Sequence, residues 1–251
     1  MDKTSEELIS LFNQIAKKGW IKGNSQNWGE IGLTFEREIN KLPDNTYKPD
    51  FIDIEIKCCS RFSRYPLNLF TIAFDGPNDN EIMRITEKYG QYDKDFNDLK
   101  VLFKTLNKQN NGTTFKFDID MFNKKIFLCI YDNNKLIEKE AYINFSTLKK
   151  HIDTKLTKLA IIKASTKKSD KANYFRYYSI FLYKIKDFDT FLKLIESNLL
   201  EITIISRISK SGNDAGRYRN KNIVFAIKKY NIQKLFDCYY QYDCDRNDEV
   251  K

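Results

Sequence analysis

The sequence predicts an α/β (α+β) chain with a mixed sheet flanked by helices, arranged as two lobes around a cleft. Apolar runs of strand length alternate along the chain with stretches whose apolar residues recur at helical spacing, which argues against an all-α or all-β architecture. The 251 residues suffice for one sizeable core or for one domain divided into two lobes, and the second is expected. A Ser- and Lys-rich break at 165–171 between apolar segments places the boundary, giving lobes of residues 1–165 and 166–251.

Leu8, Leu11, Phe12 and Ile15 share one face of a helix over residues 5–18, expected to pack on the sheet. Thr34 is the expected cap of a second helix, with Phe35, Ile39 and Leu42 on one face and Glu36 one position round from it. Residues 49–57 read as a turn and a strand, and 67–74, between Pro66 and Asp75-Gly76-Pro77, as a neighbouring strand. Residues 78–113 are polar, with Gly90, Asn110, Asn111 and Gly112; Leu99, Leu102, Phe103 and Leu106 fit a helix there. Residues 115–120, 125–131 and 136–143 form an antiparallel meander, and Ser146 caps a helix running to about Leu156.

Residues 159–164 are a buried strand and 174–185 a long one. The aromatic side chains of Tyr174, Phe175, Tyr177, Tyr178, Phe181 and Tyr183 are expected in core and cross-strand packing rather than in base stacking. Asp187 opens a helix carrying Phe188, Phe191, Leu192, Ile195 and Leu199; a strand follows at 201–208 and another begins near Asn222.

Lys and Arg outnumber Asp and Glu by 43 to 34, a net charge of +9 that suits a polyanionic partner. The abundance of Lys, Asn, Ile, Tyr and Phe is also what a low-G+C genome produces by itself, so the charge permits nucleic-acid binding without proving it. Five cysteines without Cys-x-x-Cys spacing and a single histidine argue against structural zinc and for a reducing compartment. His151, on an expected helix, is read as a surface or half-buried residue rather than a ligand. The N-terminal residues lack an apolar stretch of signal-peptide or membrane length, so a soluble, cytoplasmic protein is expected.

The segment richest in chemistry is Pro49-Asp50-Phe51-Ile52-Asp53-Ile54-Glu55-Ile56-Lys57. Phosphodiester hydrolysis needs hard carboxylate oxygens to hold Mg²⁺ and a cation to steady the attacking water as it loses a proton. In an extended strand Glu55 and Lys57 point to one side while Ile54 and Ile56 enter the core behind them. Asp50 has the wrong parity for that side, so a turn or bulge near Pro49 must bring it round. The main-chain carbonyl of Ile56 is a natural further metal ligand. An amphipathic edge strand with Glu and Lys facing solvent is the ordinary alternative. Glu36, at the seam between helix and strand, would help position Lys57 or a second metal, or would simply complement the helix dipole.

Gly19-Trp20, the stretch from Lys22 to Glu36 with Gly29 and Gly32, and Pro49-Asp50-Phe51 through Glu55-Ile56-Lys57 resemble the MvaI/BcnI family of type II restriction endonucleases. Leu69-Phe70-Thr71, Phe117-Asp118-Ile119-Asp120, residues 155–162 and 224–227 extend the similarity more loosely over most of the chain. The resemblance implies a PD-(D/E)XK restriction-endonuclease-like core related to MutH, dependence on one or two Mg²⁺ ions, and cleavage of a short double-stranded DNA sequence, one strand at a time, by a monomer without an obligate protein partner. Glu36, Asp50, Glu55 and Lys57 would be catalytic, with Asp50, Glu55 and Ile56 at the metal. A nicking repair endonuclease, or a non-catalytic DNA-binding protein of the same fold, are the competing readings.

Residues 209–222 form the expected hairpin between the last two strands. There Gly212 and Gly216 allow sharp turning, and Lys210, Arg217, Arg219 and Lys221 give cationic reach. Arg pairs bidentately with guanine and Asn with adenine in the major groove, which makes these residues with Arg207 and Asn220 the candidate DNA contacts. A solvated loop that tracks phosphates is the alternative. The resemblance favours base reading, although the family's histidine-containing stretch is replaced here by Arg219-Asn220-Lys221-Asn222.

Overall fold

The protein is described by a computed structural model covering residues 1–27, 29–41, 48–61, 63–109 and 112–244. Leu42, Asn110 and Asn111 lie outside the described residues. In chain order the elements are α1 (Lys3–Lys17), β1 (Ile21–Lys22), α2 (Glu30–Glu38), β2 (Ile54–Ser60), β3 (Leu67–Ile72), α3 (Glu81–Tyr89) and β4 (Gln91–Tyr92). Next come β5 (Lys100–Thr105), β6 (Thr113–Asp120), β7 (Lys125–Asp132), β8 (Lys135–Glu138), β9 (Tyr142–Asn144), α4 (Phe145–Lys155) and β10 (Lys158–Lys167). The chain ends with β11 (Tyr174–Ile185), α5 (Phe188–Glu196), β12 (Leu200–Ile208), β13 (Tyr218–Ile227), a 3₁₀ turn at Lys229–Asn231, α6 (Ile232–Leu235) and β14 (Phe236–Asp243).

These elements form two compact units, each assembled from separated segments. Unit 1 comprises residues 1–65, 152–186 and 233–251; unit 2 comprises 66–151 and 187–232. The 165–171 segment, expected as a boundary, lies inside unit 1 between β10 and β11, and the chain passes between units near residues 65, 151, 186 and 232.

Unit 1 is built on a mixed sheet. β2 runs parallel to β10, β10 is antiparallel to β11, and β1 and β14 both pair with β11. Ile54 and Ile56 of β2, Ala160, Ile162 and Ala164 of β10, and Tyr177 and Leu182 of β11 share one core with Leu8, Phe12 and Ile15 of α1 and Ile31 and Phe35 of α2. Each large apolar side chain buried there contributes roughly 1.5–3 kcal/mol. Asp2 caps α1 by accepting the Ser5 N–H at 3.1 Å. Phe175, Tyr177, Tyr178 and Tyr183 are buried, as their packing role requires.

Unit 2 contains a sheet in the order β3-β13-β12-β5-β4 and the meander β6-β7-β8, with β9 also beside β7. Phe70 stacks on Phe225, ring centres 4.9 Å apart, and on Phe191 at 5.9 Å. Asp187 caps α5 by accepting the Thr190 N–H, as its position suggests.

Several expectations are corrected. β3 pairs with β13 rather than lying beside the 49–57 segment. Residues 100–105 form strand β5, not a helix; β12 and β4 on either side satisfy its backbone, and the helix of this region is α3. α4 begins at Phe145, one residue before the expected Ser146 cap. β13 begins at Tyr218, so Arg219, Asn220 and Lys221 lie on a strand instead of in the loop. His151, by contrast, is half-buried as expected, its ring 6.0 Å from that of Phe70.

Unit 2 also buries charge. Glu138 accepts from Arg84 at 2.5 Å, Lys88 at 2.7 Å and the Tyr89 hydroxyl at 2.8 Å, and Arg84 also holds the buried Glu81. Burial alone would raise the Glu138 carboxyl, but these hydrogen bonds outweigh it and bring it down to about 2. The unfolded chain therefore holds that proton more tightly. The stabilisation, about 2–3 kcal/mol, is fully present above the ordinary carboxyl value and is lost as pH falls from there through the folded-state value. Glu138→Gln is expected to lower neutral-pH stability by a similar amount, about 2–3 kcal/mol, and to flatten this acid limb in urea melts taken at a series of pH values.

Candidate active site

Asp50, Phe51 and β2 form a compact unit of local structure. Phe51 and Ile54 exchange backbone hydrogen bonds, N···O 2.9 and 2.7 Å, closing a two-residue reversal at Ile52 and Asp53. Ile52 sits at φ +52° with two thirds of its surface exposed, a conformation that costs a β-branched residue about 1–2 kcal/mol. The reversal that solves the parity problem thus lies at 51–54, after Asp50 rather than at Pro49. Lys158 braces it, holding Asp53 at 2.6 Å and the capping Asp2 at 3.1 Å.

The turn brings the Asp50 carboxylate back along the outer edge of β2, where its Oδ2 accepts the Ile56 N–H at 2.9 Å. A strand residue directs its N–H and C=O to the same edge, so the Ile56 carbonyl faces outward beside Asp50. Glu55 and Lys57 project from the face opposite Ile54 and Ile56, and Lys57 Nζ holds Glu55 Oε1 at 2.5 Å. Glu55 Oε2 is buried without a hydrogen-bond partner, an arrangement that is costly unless a cation completes it.

Glu36 arrives from α2. That helix starts at Glu30 with Gly29 in the cap position, so Thr34 is a buried mid-helix residue and not the cap. The buried Tyr177 hydroxyl donates to the Ile31 carbonyl at 2.7 Å and its ring meets Phe35 edge-on at 5.1 Å, fixing α2 against β11. Burial raises the Glu36 carboxyl above its usual range, and the nearby Asp50 and Glu55 charges add to this while Lys41 and Lys57 oppose it. The expected catalytic residues Glu36, Asp50, Glu55 and Lys57 therefore form one electrostatic cluster.

One further residue belongs to it, and another anchors the helix that carries Glu36. Lys41 places its ammonium 2.5 Å from Asp50 Oδ1, both side chains being mostly buried. No spacing rule points to it: Asn40, at φ +59°, turns the chain beyond α2 and the Lys41 N–H closes onto the Glu36 carbonyl at 2.8 Å. Glu30 is the buried anchor of the α2 start, accepting from the Asn24 N–H at 2.8 Å, the Ser25 hydroxyl at 2.9 Å, Thr34 at 3.2 Å and Arg37 at 3.0 Å. Burial would raise its carboxyl, and these bonds more than reverse that. A legible signal was present, because Glu30, Thr34 and Arg37 share a helix face. Gly23 lies so close that a Cβ there would meet Glu30 Cγ at 2.7 Å.

Among the described residues no three His, Cys, Asp or Glu side chains cluster as a self-sufficient metal site. Asp50, Glu55 and the Ile56 carbonyl nevertheless fit a magnesium ion, which needs only one or two carboxylates and takes its other ligands from water and phosphate.

The candidate DNA contacts lie in unit 2. Lys210 is bound by Asp93 and by Asp95 at 3.0 Å, and Arg217 by Asp214 at 3.1 Å, so these two cations brace the hairpin tip. Arg219, Asn220 and Lys221 are exposed, and Asn220, at φ +52°, occupies a bulge opposite Ser206. Arg207 pairs across the ladder with Arg219 and is exposed, its guanidinium 5.6 Å from the ring centre of the exposed Phe103.

The family model of the MvaI/BcnI restriction endonuclease family matches residues 9–236. A solved structure described as a restriction endonuclease MvaI–cognate DNA substrate complex aligns with a TM-score of 0.87 and 25% identity, covering 95% of this chain and 98% of that one. Restriction endonuclease MvaI in the absence of DNA aligns with a TM-score of 0.58 and 22% identity, covering 96% and 98%. No curated protein sequence matches.

Glu30→Ala leaves Arg37 and the Asn24 N–H without their buried acceptor, and is expected to cost about 3 kcal/mol. Chemical denaturation followed by circular dichroism checks this, and a loss under about 1 kcal/mol would mean that α2 is held by packing alone.

Proposed function

The chain belongs to the MvaI/BcnI restriction endonuclease family, and we propose that it is a type II enzyme hydrolysing both strands of a short specific double-stranded DNA sequence with Mg²⁺, as a monomer cutting one strand at a time. The observation that supports this most is Asp50 held on the Ile56 N–H at the edge of β2 and Glu55 held by Lys57 on the face beside it, both within electrostatic reach of Glu36.

Asp50, Glu55 and the Ile56 carbonyl would hold the ion, the last two carried by β2 and Asp50 held against it by the Ile56 N–H. When bound, the ion polarises the scissile phosphate and lowers the pKa of a coordinated water. Lys57, already on the same face as Glu55, orients the attacking water and stabilises it as it deprotonates. Glu36 adds a carboxylate to the cluster and attracts Lys41 and Lys57 by charge. Water attacks phosphorus and gives its proton to solvent, the bridging P–O bond breaks with its electron pair on the leaving oxygen, and that oxygen takes a proton from solvent.

The unit carrying these residues is the catalytic part and unit 2 the reading part. Arg207, Arg219, Asn220 and Lys221 supply exposed polar groups suited to base edges, while Lys210 and Arg217 hold the tip in shape. A solved MvaI structure similar to this chain in fold is described as a complex with its cognate DNA, which supports a duplex as the ligand here.

Incubation of the purified protein with plasmid and phage DNA in Mg²⁺ is expected to give discrete fragments. Nicked circles that never become linear would instead favour the single-strand nicking reading. Asp50→Ala and Lys57→Ala are expected to abolish cutting in Mg²⁺ while DNA affinity, followed by gel shift without divalent ions, stays within about tenfold.

A further inference from the structure

The two metal-facing carboxylates are not equally prepared for a cation. Glu55 gives one oxygen to Lys57 and keeps Oε2 buried without a hydrogen-bond partner. Asp50 is engaged at both oxygens, Oδ2 by the Ile56 N–H at 2.9 Å and Oδ1 by the Lys41 ammonium at 2.5 Å. Magnesium sits about 2.0–2.1 Å from its carboxylate ligands, so an ammonium held so close to Oδ1 competes for the same space and the same charge.

We propose that Lys41 is a displaceable stand-in for the divalent ion at Asp50, and that it keeps metal affinity low in the DNA-free protein. This rests on the reading of Asp50 and Glu55 as the metal ligands. The Lys41 side chain is largely enclosed, 16% exposed, which makes its attraction to Asp50 stronger than that of a surface pair. Removing it would leave three carboxylates, Glu36, Asp50 and Glu55, balanced among the described residues by Lys57, a set more hungry for a divalent cation. Asp50 itself would not drift, because the Ile56 N–H still holds Oδ2. The ammonium that leaves Asp50 has a new partner when DNA is present, since a backbone phosphate bound at the same ion brings negative charge within its reach. Metal and duplex would then strengthen each other's binding reciprocally.

The test is titration of DNA-free protein with Mn²⁺, read by the electron paramagnetic resonance of free Mn²⁺, in wild type, Lys41→Met, Lys41→Gln, Lys41→Arg and Asp50→Asn. Lys41→Met and Lys41→Gln are expected to bind Mn²⁺ about tenfold more tightly than wild type, Lys41→Arg to stay within about threefold, and Asp50→Asn to lose binding. A Lys41 with a merely structural role would give the opposite sign, because a loosened site binds more weakly. Unchanged or weaker binding in both neutral variants, with Asp50→Asn still defective, overturns the role of Lys41 alone. Wild-type Mn²⁺ binding that survives Asp50→Asn, or no binding in any variant, overturns the metal assignment itself and this inference with it.

Discussion

One hydrogen bond organises the site: the Asp50 carboxylate accepting the Ile56 N–H on the open edge of β2. It converts an acid of the wrong strand parity into a neighbour of Glu55, and it leaves the Ile56 carbonyl facing the same way. The bond is available because β2 pairs with β10 on one side only, among the described strands, so the outward N–H needs an acceptor. The turn at 51–54 delivers that acceptor at the cost of a left-handed isoleucine. Backbone strain of this kind persists where the surroundings over-determine it, and here Lys158 and the paired backbone of Phe51 and Ile54 do so.

Behind that edge the core supplies rigidity. Tyr177 joins β11 to α2 by its hydroxyl on Ile31 and its ring on Phe35, which positions Glu36, while Ile54 and Ile56 bury the opposite face of β2. Parallel pairing of β2 with β10 needs a long connection, and the chain uses that connection to build most of unit 2 before returning. On the proposed function, cutting and reading fall to different units of a single chain, the carboxylates on unit 1 and the exposed Arg207, Arg219 and Lys221 on unit 2. The charge inside unit 2 follows the same economy of pairing, with Glu138 satisfied by three donors instead of being left to solvent.

The grouping of Glu36, Glu55 and Lys57 is legible in the sequence because it is local: alternation along one strand fixes Glu55 against Lys57, and helical spacing places Glu36. The long strand 174–185 and the helix opened by Asp187 were legible for the same reason. What escaped is set by distant partners. Leu99, Leu102, Phe103 and Leu106 satisfy a helical period, yet β12 and β4 claim that backbone for a sheet. Lys41 reaches Asp50 only through the turn beyond α2, and β14 returns to unit 1 far from the strand it joins in sequence. The 165–171 break reads as a linker by composition, whereas it connects two paired strands of one sheet. Thr34 looks like a cap until Glu30 is recognised as the start of the helix.

The central claim is that Asp50, Glu55 and the Ile56 carbonyl together receive one divalent ion. Crystals soaked in Mn²⁺ and measured at the manganese absorption edge test it directly. The expected result is an anomalous peak contacting the Asp50 and Glu55 carboxylates and the Ile56 carbonyl oxygen; a peak confined to other residues, or none at saturating Mn²⁺, would contradict it.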